Sequence, residues 1–91
     1  MREDNFQIII DILAALERQL DAGPNELNWK AFAPETLGVN VNRWAKILTM
    51  LEEEKLIKGF SFGIQKGQII NNSGNNGRLT MKGLEYLKNN K

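Results

Sequence analysis

Apolar residues recur at helical spacing from Asn5 to Leu20, where Phe6, Ile9, Ile10, Leu13, Leu16 and Leu20 follow the period of an α-helix. Asp4 or Asn5 can cap the first turn, because a short polar side chain accepts from the unbonded N–H groups there. Gly23-Pro24 stops the helix. Ile8, Ile12 and Ala15 add a second apolar stripe beside the first. A face this wide is either clasped between two neighbours of its own chain or, through Ile8 and Ile12, covered by a second copy in a homodimer.

The next stretch, "NELNWKAFA" at 25–33, has no clean period. Leu27, Trp29 and Phe32 are expected in the core, and a strand of two or three residues fits here. Pro34 suits the first turn of a short helix, "PETL". Ala33 before it has no capping oxygen, and Leu37-Gly38-Val39 reads as a tight turn whose glycine permits a left-handed backbone.

Asn40 then caps a helix over 41–54. With Trp44 at zero and 100° or so per residue, Leu48 falls at about 40°, Val41 at about 60°, Leu51 at about 340° and Ile47 at about 300°, one buried stripe. Opposite lie Thr49 (about 140°), Asn42 (about 160°) and Lys46 (about 200°), with Met50 and Arg43 flanking at about 240° and 260°. The outward face is cationic and amide-bearing over its first two turns, a surface suited to phosphates and base edges. Glu52, Glu53 and Glu54 close the helix, and only Glu53 shares the face of Lys46, about 10 Å further along. The glutamates therefore confine anion binding to the N-terminal half.

After Ile57 the period changes to two. Phe60, Phe62 and Ile64 alternate with Ser61, Gly63 and Gln65, as in a strand with one face in the core. Lys66-Gly67 supplies a hairpin turn and "QIIN" the returning strand. "NNSGNNG", residues 71–77, reads as a loop. Thr80 begins a closing helix that carries Leu84, Tyr86 and Leu87 to about Asn89. The order helix, short element, helix, turn, helix, hairpin, helix predicts an α+β fold: a helix-turn-helix with a β-hairpin wing and a C-terminal helix, in one domain over residues 1–91.

Composition narrows the chemistry. The chain has no cysteine and no histidine, which removes thiolate chemistry, the commonest metal ligand and the commonest general base. No nucleotide-binding glycine loop and no calcium-loop spacing occurs. An enzyme is not expected, nor a cofactor or a bound metal. No apolar run approaches the roughly 20 residues of a membrane span, and "MREDNF" contains no apolar signal core, so a cytoplasmic location without membrane contact is expected. Net charge is +1 but unevenly spread: −4 over residues 1–27, +1 over 28–58 and +4 over 59–91. That dipole is compatible with a nucleic-acid footprint and equally with a plain solvated surface.

Several motifs carry a family resemblance. "VNRWAKILTMLEEEKLIKG" looks like the recognition helix of winged-helix proteins running into the first wing strand, and "LTMKGLEYL" resembles the segment that follows the wing. Taken together, "DNFQIIIDIL", "PETLGVNVNRW", "LIKG" and "RLTMKGLEYL" are similar to the YjcQ-like family, small proteins of Gram-positive bacteria and their phages, over residues 3 to 89. Lys55 stands where the pattern usually has glycine, which places a side chain at a left-handed position.

The resemblance implies a winged-helix fold and, by analogy with the superfamily, transcription regulation through double-stranded DNA. Asn42, Arg43, Lys46 and Thr49 would then face bases or phosphates, and Lys66 and Arg78 would meet the backbone from the wing. Lys30 and Thr36 are further phosphate candidates. The alternative is a protein-interaction module of a phage or prophage accessory protein, favoured by the low net charge and the wide stripe on the first helix.

Overall fold

A computed structural model describes residues 4–21, 26–59 and 77–90 with their side chains, and 62–65 and 68–71 by their backbone. The fold is mixed α+β, in a layout compatible with a winged helix. Helix α1 spans Asn5–Glu17, α2 Pro34–Leu37, α3 Val41–Glu53 and α4 Met81–Asn90. Four short strands, β1 Ile57–Lys58, β2 Phe62–Gln65, β3 Gln68–Asn71 and β4 Arg78–Leu79, form the hairpin between α3 and α4. No described helix is long and apolar enough to cross a membrane.

Asp4 caps α1, its carboxylate accepting from the N–H groups of Phe6 at 3.0 Å and Gln7 at 3.2 Å. The helix winds tighter after Glu17, where Gln19 and Leu20 donate to carbonyls three residues back. It thus ends before the predicted limit at Leu20, which is 48% exposed. Its buried face draws on both stripes: Ile8, Ile12, Leu13, Ala15 and Leu16 are buried, an arc of about 160° centred between the two. Phe6, at the edge of that arc, is 71% exposed.

That burial takes Ile8 and Ile12 out of the expected homodimer interface. Ile8 and Ile12 are both 0% exposed and belong to the cluster of buried side chains drawn from α1, the 29–32 segment, α3, α4 and the hairpin root. Neither has surface left to offer a second copy. The wide stripe is explained within the chain, because α1 packs against both α4 and the segment at 29–32.

That segment is a short 3-10 helix, Trp29–Phe32, not the predicted strand. The side chain of Gln19 satisfies the backbone before it, accepting from Asn28 N at 2.6 Å and donating to Asn28 O at 3.1 Å. One amide side chain thus takes the role of a neighbouring strand. Asn28 then caps the 3-10 turn through Lys30 N, at 3.0 Å. Phe32 is fully buried, and its carbonyl accepts from the Trp44 indole at 2.7 Å in the interior. Trp29 packs at 5.2 Å from the Phe32 ring and 6.3 Å from Trp44, so this cluster fixes α3 to the preceding segment.

The end of α3 explains why the chain tolerates Lys55. Lys55 has φ 63°, a left-handed conformation, and its N–H donates to Glu52 O while Leu56 N donates to Leu51 O. These two bonds form a Schellman cap, with Leu51 and Leu56 both buried as its hydrophobic contact. The segment "LTMKG" is built onto that cap. The Thr80 hydroxyl donates to Lys55 O at 2.6 Å and accepts from Gly83 N at 3.0 Å, so one side chain closes α3 and starts α4. Gly83 lets α4 approach: a Cβ there would strike the Leu56 carbonyl oxygen and lie 2.7 Å from Leu79 Cδ1.

The hairpin has two antiparallel ladders. At its root Ile57 pairs with Leu79 and Lys58 with Arg78. Further out Phe62 pairs with Asn71, and the register runs to Gln65 opposite Gln68. Between the ladders the first arm has three residues, 59–61, and the second has six, 72–77. Gly59, at φ 85°, ends the root ladder on the shorter arm. The expected turn at Lys66-Gly67, the alternation from Phe60 and Ser61 and most of the 71–77 loop fall outside the described residues or side chains. So does the helix stop at Gly23-Pro24.

Candidate nucleic-acid interface

Helix α3 is oriented by burial of Trp44, Ala45, Ile47, Leu48 and Leu51. Its opposite face presents Asn42, Lys46 and Thr49 to solvent, as the wheel predicts. Asn40 sets where that face begins. Its side-chain oxygen accepts from Asn42 N at 2.8 Å and Arg43 N at 3.4 Å, which holds the first turn in shape. The helix N-terminus and the Lys46 ammonium are therefore on the same end, both favourable to an anion. Thr49 is committed differently, its hydroxyl donating to Ala45 O at 2.9 Å within the helix.

Arg43 is not an outward-reaching side chain. Its Nε and a terminal nitrogen donate to Asn5 Oδ1 at 2.8 and 2.6 Å, which ties α3 to the first turn of α1. On the wheel it already flanked the outward face, and α1 lies on the side toward which it leans. The structure therefore separates it from Asn42 and Lys46. Lys30 and Thr36 are both exposed and are joined through the backbone, where the Thr36 hydroxyl donates to Lys30 O at 2.7 Å. Lys66 lies outside the described residues.

Arg78 gains a neighbour that sequence reasoning missed. In the root ladder it stands directly opposite Lys58, and both are exposed. Opposed residues of an antiparallel pair project to the same face, and like charges there repel. A bound anion would relieve that repulsion. The signal was present in the sequence as two short polar–apolar steps, Ile57-Lys58 and Arg78-Leu79, but only the pairing register places the two cations side by side. Glu53 and Glu54 are exposed at the opposite end of α3 from Asn42.

A family model described as YjcQ protein matches residues 10–91. Comparison with curated proteins returns no match, and comparison with solved structures returns none either.

Proposed function

This chain belongs to the YjcQ protein family, and from that premise we propose that it is a winged-helix DNA-binding protein, a small bacterial or phage transcription regulator. The observation that carries this reading is the exposed N-terminal half of α3, with Asn42 and Lys46 on the face opposite its core stripe. Asn42 has the donor and acceptor needed for an adenine edge in the major groove. Lys46 meets a phosphate, and the cation pair Lys58 and Arg78 at the hairpin root meets the backbone on the neighbouring turn. Arg43 positions α1 against α3 and does not read bases.

The test is fluorescence anisotropy of the full chain on random duplex DNA across a salt series. Affinity should fall linearly in log–log terms, and Lys46→Ala, Lys58→Ala and Arg78→Ala should each lower the slope by about one. Arg43→Ala should leave the slope nearly unchanged and reduce thermal stability instead. No binding at about 50 mM salt would refute the reading, since electrostatic affinity is strongest there.

A second reading, a protein-interaction module, is favoured by one feature. Ile9, Met50, Leu51, Leu56 and Tyr86 line a largely apolar hollow where α1, α3 and α4 meet.

A further inference from the structure

We infer that this hollow is the centre of a two-fold interface between two copies of the chain, hollow facing hollow, with the Phe6 rings of both copies closing the joint recess from its edges. The hollow has a volume of about 280 Å³ and is rimmed by Glu54 and Lys82. Phe6 lies one turn before Ile9 on α1 and is 71% exposed, so a large projecting ring and an apolar recess share one face. An interface with two-fold symmetry requires both on the same face, because each copy must offer what it receives. Met50, also 48% exposed, widens the apolar centre.

The charges supply the second argument. Glu54 and Lys82 are exposed, and neither side chain has a hydrogen-bond or ion-pair partner among the described residues. Each also sits at the wrong end of its helix. Glu54 is the C-cap of α3, where an anion opposes the helix dipole, and Lys82 is in the first turn of α4, where a cation does. A two-fold axis through the hollow sets Glu54 of each copy against Lys82 of the other. Both misplaced charges are then neutralised at once, and the rim of the hollow is complementary to itself.

This surface is distinct from the one excluded above, since it uses the flank of α1 beyond the arc of Ile8 and Ile12. It also leaves the Asn42 and Lys46 end of α3 uncovered. The inference does not rest on DNA binding, and its test is made without DNA.

The experiment is sedimentation of the full chain from low micromolar to near-millimolar concentration. The wild type should move from monomer to dimer mass as concentration rises. Glu54→Lys and Lys82→Glu, each folded by circular dichroism, should weaken self-association by about tenfold or more, because two attractive pairs become two repulsive ones. An equal mixture of the two variants should dimerise as the wild type does, since each now carries the charge its partner lacks. Phe6→Ser should weaken the dimer without changing the helical signal. A wild type that stays monomeric throughout, single variants that dimerise unaltered, or a mixture that fails to recover association would each overturn the proposal.

Discussion

Replacing Gly83 with alanine tests the junction that joins α3, the hairpin and α4. On helix propensity alone the change should stabilise the chain by up to about 1 kcal/mol. Packing argues the opposite. The new Cβ would strike the Leu56 carbonyl oxygen, while lying 2.7 Å from Leu79 Cδ1 and 3.2 Å from the Leu56 carbonyl carbon. Leu79 is buried and the Leu56 carbonyl already accepts from Thr80 N at 3.1 Å, so neither can step aside without breaking another contact. Overpacking of this kind costs roughly 1–3 kcal/mol. Displacing α4 also strains the Thr80 cap, worth about 1 kcal/mol. After the propensity gain is subtracted, the net loss is about 2 kcal/mol, or about 10 °C in midpoint for a domain of this size. Thermal and urea unfolding followed by circular dichroism would measure it. A Gly83→Ala variant as stable as the wild type, or more so, would refute the close approach of α4 to Leu56.

The left-handed backbone at Lys55 predicts the reverse sign for glycine there: Lys55→Gly should stabilise by about 1 kcal/mol, read as a higher urea midpoint at unchanged slope. A lower midpoint would mean that Lys55 makes a contact outweighing its strain. Trp44→Phe removes the indole donor to the Phe32 carbonyl and should cost about 1 kcal/mol beyond the lost ring area. Its unfolding midpoint should fall below that of Trp29→Phe, since Trp29 is only half-buried. Thr80→Val removes both a donor to Lys55 O and an acceptor for Gly83 N, and should cost more than a single cap, about 2 kcal/mol in the same assay.

The elements that were legible in the sequence are those whose pattern is local. The stripe of α3 and its Asn40 cap follow from spacing within one helix, the left-handed Lys55 follows from the family resemblance, and the structure has them as expected. The phase of α1 was not legible, because apolar residues cover more of that helix than one neighbour buries. Both stripes are drawn on because α1 packs against α4 and the 29–32 segment, both distant in sequence. A two- or three-residue strand fitted the pattern of 25–33, and a 3-10 turn forms at 29–32 for a similar reason: the Gln19 side chain satisfies Asn28, a contact no local pattern encodes.

The candidate site divides in the same way. Asn42 and Lys46 were placed by the wheel, whereas the capture of Arg43 by Asn5 depends on how α1 crosses α3. The Lys58 and Arg78 pair depends on register across the hairpin, where the second arm carries extra residues. Length alone could not fix which cations face each other.

We propose that the N-terminal half of α3 and the hairpin root together engage duplex DNA. Titrating the isotopically labelled chain with a random duplex, and following backbone amide resonances, tests it residue by residue. Saturable shifts are expected at Asn42, Lys46, Lys58 and Arg78, weakening as salt is raised. Shifts confined to Ile9, Met50 and Tyr86, or no shift at low salt, would contradict it.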